Sequence, residues 1–158
     1  MCIYKIFTIN REIVGNERIL VKDDEFSKIE SEAYLRVLAG EIPVSKSYYY
    51  KILSKLREFG LIRGTAINFK LVLPYSIRGD RLKIEKKALF ITGRKLVYVN
   101  LSSPNCDQCP LLMDCQKAIL ELTGMTLKYP CMGWNKIITS LTVNLLFKTR
   151  SFITHLYK

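Results

Sequence analysis

Apolar positions recur at helical spacing in two stretches of the first sixty residues. Phe26, Ile29, Ala33, Leu35 and Val37-Leu38 follow the acidic run Asp23-Asp24-Glu25, and Ala39-Gly40 ends the pattern. That predicts a helix with acids in its first turn and a glycine at its stop. The second stretch is cleaner. Pro43-Val44-Ser45 is a turn with Ser45 as N-cap. Tyr48, Ile52, Leu53, Leu56 and Phe59 then fall at i, i+4, i+5, i+8 and i+11, one apolar stripe. Lys46, Lys51, Lys55 and Arg57 stay largely off it, and Gly60 follows as the C′ glycine before Leu61-Ile62-Arg63-Gly64 opens a strand. From 65 to 101 the period becomes two. Ile67, Phe69, Leu71 and Leu73 alternate, and Ala88–Ile91 and Leu96–Val99 flank Thr92-Gly93-Arg94-Lys95, a hairpin signal. Residues 1–22 alternate loosely and predict a strand pair about Val14-Gly15-Asn16-Glu17. Ser102, Ser103 and Pro104 read as a link to the next unit.

Charge adds a direction to this pattern. The 158 residues carry 25 Lys+Arg against 14 Asp+Glu, a formal charge of +11. Residues 1–43 are net −2, 44–100 net +10 and 101–158 net +3. A surplus held in one block points to a face for an acidic partner, nucleic acid first, or to a solvated lysine-rich surface. With 49% hydrophobic residues the chain can pack a core, in one domain or two small ones. The longest uncharged, mostly apolar run is Ile137–Phe147, eleven residues, where a bilayer span needs about 20. No charged segment followed by an apolar one opens the chain. The expectation is a cytoplasmic, nucleoid-associated protein with no membrane partner.

The cysteines carry the most chemistry. Cys106, Cys109, Cys115 and Cys131 give C-x2-C-x5-C-x15-C within 26 residues. Four thiols so close together in an intracellular chain point to a metal centre. The first pair reaches one centre from a tight turn, and the segment has little core of its own to fold around. Structural zinc sites usually present two short-spaced pairs. Here only one pair is tight, which suits a cluster of four irons taking one thiolate each, with zinc as the alternative. Cys2 lies far from the others, and His155, the only histidine, lies in the tail.

These residues resemble known sequences. The string from Ile42 to Gly64 resembles the recognition helix and first wing strand of a winged-helix domain, although other helix–hairpin units share such an ending. The string CDQCPLLMDC…YPCMGW resembles the C-terminal cysteine domain of the archaeal transcription factor E beta subunit and of its eukaryotic relative in RNA polymerase III. Cys106, Cys109, Pro110, Asp114, Cys115, Pro130, Cys131 and Trp134 match that family's pattern. The likeness covers about 43–134. It departs in a shortened last turn, with Trp134 three residues after Cys131, and in the 24 residues beyond Trp134. The resemblance implies a [4Fe-4S] cluster on the four cysteines. It also implies an alpha subunit as partner in a heterodimer, binding to the RNA polymerase clamp, and promotion of promoter DNA opening.

The expected fold is therefore α+β: a winged-helix domain (1–100), an iron–sulfur domain (101–134) and a basic, apolar tail (135–158). Lys46, Tyr49, Tyr50, Lys51, Lys55, Arg94 and Lys95 are the expected contacts to nucleic acid or polymerase, with Tyr48 turned to the core. In the tail, Ile137, Ile138, Leu141, Leu145 and Leu146 form a stripe suited to docking or packing. No constellation for catalysis is present: one histidine, few clustered carboxylates and no phosphate-cradling glycine loop. A non-catalytic transcription initiation factor subunit is the first reading. The alternatives are an autonomous redox-sensing winged-helix regulator whose cluster switches DNA affinity and, more remotely, a fragment of a cluster-containing nuclease.

Overall fold

The computed structural model describes residues 3–15, 18–102 and 105–140. Two strands, β1 (Ile3–Thr8) and β2 (Arg18–Lys22), lead into α1 (Asp23–Glu30), α2 (Glu32–Ala39) and α3 (Lys46–Glu58). A two-stranded pair, β3 (Ile62–Arg63) and β4 (Ala66–Ile67), follows. Then come β5 (Leu71–Arg78), β6 (Arg81–Ile84), β7 (Lys87–Thr92), β8 (Lys95–Asn100) and α4 (Leu112–Thr123). A last helix, α5, runs through 130–140. The fold is mixed α+β, and no helix among the described residues is long and apolar enough to cross a membrane.

One sheet organises the molecule, in the order β1-β8-β7-β5-β2 with β6 added to β5. All pairings are antiparallel except β2 with β5. Burial alternates along the central strands. Val72, Leu89, Ile91, Leu96 and Tyr98 join one core cluster, whereas Leu71, Leu73, Ala88, Phe90, Val97 and Val99 join another. Successive strand side chains point to opposite faces, so these are the two faces of the sheet. The first is covered by Phe26 and Ile29 of α1, Leu35, Val37 and Leu38 of α2, and Ile52, Leu53 and Leu56 of α3. The second is covered by Leu111, Cys115, Ala118 and Ile119 at α4, and by Cys131, Trp134 and Ile138 of α5. The cysteine segment thus shares its core with the strands.

Several expectations need correction. Strands form on either side of Gly15, but β1 pairs with β8 and β2 with β5 rather than with each other. Gly15 serves a close approach instead of a turn: a Cβ there would stand 2.2 Å from the Asn68 carbonyl carbon. The amides of Val14 and Gly15 both donate to the Ile67 carbonyl at 3.0 and 3.3 Å, which fastens this segment to β4. The helix expected over 26–38 is two helices, broken at Ser31 in extended conformation (φ −56°, ψ 132°). The alternation of Ile67, Phe69, Leu71 and Leu73 spans a kink, because the first two side chains enter one core and the last two the other. Most of the tail stripe, from Leu141 onward, lies outside the described residues, as do Cys2, Asn16, Glu17 and His155.

Candidate metal centre and basic face

Turns and helix starts set the four cysteines on the second core. The Cys109 amide donates to the Cys106 carbonyl at 3.2 Å, closing the C-x2-C turn. The Leu112 amide donates to the Cys109 carbonyl at 3.1 Å, so that turn leads directly into α4. Cys115 sits in the first turns of α4, its amide bonded to Leu111 at 2.8 Å. Pro130 opens α5, where its missing N–H costs nothing, and Cys131 follows. The Cys131 amide donates to Cys106 Sγ at 3.1 Å, joining positions 25 residues apart. Cys106, Cys115 and Cys131 are buried in the second core, with Cys109 half-buried against it. Gln116 Nε2 reaches the Leu127 carbonyl at 3.3 Å and ties α4 to the loop before α5.

Does this set fit a metal group? The donor chemistry does: four thiols on one apolar core, with sulfur already accepting a backbone N–H. A second observation agrees. Trp134 is fully buried, and its Nε1 has no hydrogen-bond partner among the described residues. A buried donor left unsatisfied costs about 1–3 kcal/mol. Among the described residues no group of three Cys, His, Asp or Glu side chains is placed to hold a metal ion.

The chain matches no protein-family model, no curated protein and no solved structure.

The basic face is built on α3. Ser45 caps it, Oγ accepting the Tyr48 amide at 3.3 Å. Its end is a Schellman turn: Leu61 N–H bonds to Leu56 and Gly60 N–H to Arg57, with Gly60 at φ +73°. Lys46, Lys51 and Lys55 are exposed on it, Lys55 paired with Glu58 at 2.9 Å. Tyr48, expected in the core, is 45% exposed. The stripe of Ile52, Leu53 and Leu56 explains why. Tyr49 lies three, four and seven residues before those positions and so sits mid-stripe, leaving Tyr48 on its edge. Tyr49 packs against the first core, with the Tyr50 ring edge-on at 5.8 Å and Tyr50 itself 55% exposed.

Arg94 and Lys95 occupy the β7–β8 turn, both exposed, but Lys95 pairs with Asp114 of α4 at 3.4 Å. The Arg94 carbonyl accepts the Ile9 amide at 2.7 Å. Two residues further on, Arg11 lies over the Tyr49 ring at 5.3 Å. The segment 9–11 thus links the turn to α3. Burial, and behind it the like charge of Arg57, lowers the Arg11 guanidinium from its ordinary value. Arg57 donates to the Gly64 carbonyl at 3.1 Å in the β3–β4 turn. Arg11 belongs to this face although it lies outside the basic block; no spacing in the sequence marks it. Arg57 was visible only as a cation off the stripe.

Proposed function

We propose that this chain is a non-catalytic transcription initiation factor subunit of the transcription factor E beta type, with a [4Fe-4S] cluster on Cys106, Cys109, Cys115 and Cys131. It pairs with an alpha subunit, binds the RNA polymerase clamp and promotes promoter opening, working inside the cell. The observation that carries the reading is four thiols on one core that also holds an indole N–H without a partner among the described residues. The element order α1-α2-α3-β3-β4, three helices with the last one basic and then a short hairpin, supports the winged-helix half of the reading. When bound, the cluster supplies four iron–sulfur bonds that fix the 106–109 turn and the starts of α4 and α5 relative to one another. The protein's own residues do the rest. Lys46, Lys51, Arg11 and Arg57 present charge to phosphates or to acidic polymerase. Tyr50 presents a ring on which an unpaired base can stack.

The test is metal content and visible spectrum of protein purified without oxygen. About four irons per chain with broad brown absorbance is expected, followed by co-purification with polymerase or an alpha subunit. One zinc and no colour would sink the cluster. A homodimer that selects an operator, with affinity changing on oxidation, would instead establish the redox-sensing regulator.

A further inference from the structure

We infer that the indole N–H of Trp134 donates a hydrogen bond to a sulfur of the centre held by the four cysteines. The inference rests on the cluster reading above and says which residue of the chain tunes that centre. Trp134 is 0% exposed, among the largest fully buried side chains. Its Nε1 is a donor only, and buried tryptophans ordinarily find an acceptor for it. Here Nε1 has none among the described residues.

The surroundings narrow the choice of acceptor. The Phe90 ring lies 5.2 Å away at 32° and offers hydrocarbon. Asn135 Oδ1 is also buried without a partner, but it belongs to the next residue of α5, about 100° round the helix. The hydrophobic residues of this core are apolar side chains and thiols, with Tyr75 packed at its margin. Trp134 follows Cys131 by three residues on α5, which makes them neighbours on the helix surface. Cys131 already sends its own amide to Cys106 Sγ at 3.1 Å. Sulfur in this core already accepts one N–H, and it is the acceptor assigned here to the indole, as cysteine thiolate or as inorganic sulfide. N–H bonds to the sulfurs of such centres favour the more negatively charged, reduced state and raise the reduction potential. Trp134 is a positioning and tuning residue rather than a ligand.

The chain has a single tryptophan, so one indole resonance reports on this N–H without ambiguity. The experiment loads full-length wild type and Trp134→Phe with ferrous iron and sulfide under anaerobic conditions. Reduction potentials are then measured, along with the exchange rate and shift of the wild-type indole N–H before and after loading. Phenylalanine keeps a buried aromatic against Phe90 and removes the donor. We expect a lower potential in the variant, and in wild type an indole N–H that shifts and exchanges more slowly once loaded. Equal potentials with an unmoved indole resonance would overturn the inference while leaving the cluster standing. If the variant takes up no cluster, the wild-type resonance decides alone: moved, it supports the bond; unmoved, it refutes it. Failure of wild type to take up about four irons would overturn the cluster reading and this inference with it.

Discussion

On its helix side the sheet is covered by α1, α2 and α3, and α3 is closed at both ends, by the Ser45 cap and by the Gly60 turn. On its cysteine side it is covered by α4 and α5. There α4 begins at Leu111 with no side-chain cap, and its start is set by the Cys109 turn. Both buried polar side-chain atoms that lack partners among the described residues, on Trp134 and Asn135, lie on this side. So do the exposed methionines Met113, Met125 and Met132. The two faces use the same strands and similar apolar residues. They differ in what completes them. Apolar side chains fill the first, whereas the second also holds four thiols, a buried indole donor and a buried amide oxygen, the last two without partners among the described residues.

The sharpest way to break this contrast is to remove one thiol. Cys115→Ser is expected to abolish iron retention. Amide protection should then fall in α4 and α5 while α1, α2 and α3 stay protected. Hydrogen exchange on the anaerobically purified variant decides it. Uniform loss of protection across both faces would mean that they fold as one unit and that the contrast is only compositional. The converse substitution comes next in size. Leu56→Ala empties a fully buried position on the helix side and should cost about 2–5 kcal/mol of unfolding free energy, with iron content per folded chain unchanged.

Much of the helix side could be read from the sequence, and particular residues show why. Ser45, the stripe after it and Gly60 specify α3 through contacts within a few residues, and local chemistry of that kind is visible in a string. The phase of the helix was harder. Tyr48 and Tyr49 both fit a coarse stripe, and only the packing partners Ile52, Leu53 and Leu56 together place Tyr49 inward. Of the sheet pairings, the β7–β8 hairpin was legible in Thr92-Gly93-Arg94-Lys95, but those of β1 and β2 were not. The partners of β1 and β2 lie far along the chain, and Gly15 looked like a turn glycine when its role is a backbone approach to Asn68. For the site, the four cysteines that the spacing groups lie on the second core, because turn and helix-start geometry is again local. The unpartnered Trp134 donor and the reach of Arg11 over Tyr49 depend on tertiary contacts that no spacing encodes.

A smaller effect tests how the helix side is tied to the sheet. The Tyr98 hydroxyl donates to Glu30 Oε1, and Lys87 Nζ lies 3.6 Å from Glu30 Oε2, joining β8 and β7 to α1. Burial, then the bond to Glu30 and its charge, holds the Tyr98 phenol well above its ordinary value. An acid whose folded value is raised contributes stability that is complete below the unfolded value, about 10 for tyrosine, and is lost as pH climbs above it. Tyr98→Phe should therefore cost about 1–2 kcal/mol at neutral pH. It should also flatten the alkaline fall in stability, which denaturant melts at pH 8 and above pH 10 would record. A variant whose stability falls with pH as steeply as wild type would show that the drop arises elsewhere.

The smallest expected change in stability separates the two roles of neighbouring rings on α3. Tyr50 is exposed, with its ring edge-on to Tyr49, so Tyr50→Ala should leave unfolding within about 0.5 kcal/mol of wild type. If Tyr50 stacks on an unpaired base, the same variant should weaken binding to single-stranded or melted DNA by about 1–3 kcal/mol. The salt dependence of binding should stay the same, because no phosphate contact is removed. Lys46→Ala, one helical turn earlier on the same face, should do the reverse: little loss of stacking, and a salt slope shallower by about one. Measured together across a salt series, the pair distinguishes a nucleic-acid face from one turned toward polymerase. On a protein-facing surface neither variant would change DNA binding, and both would instead weaken co-purification with the polymerase.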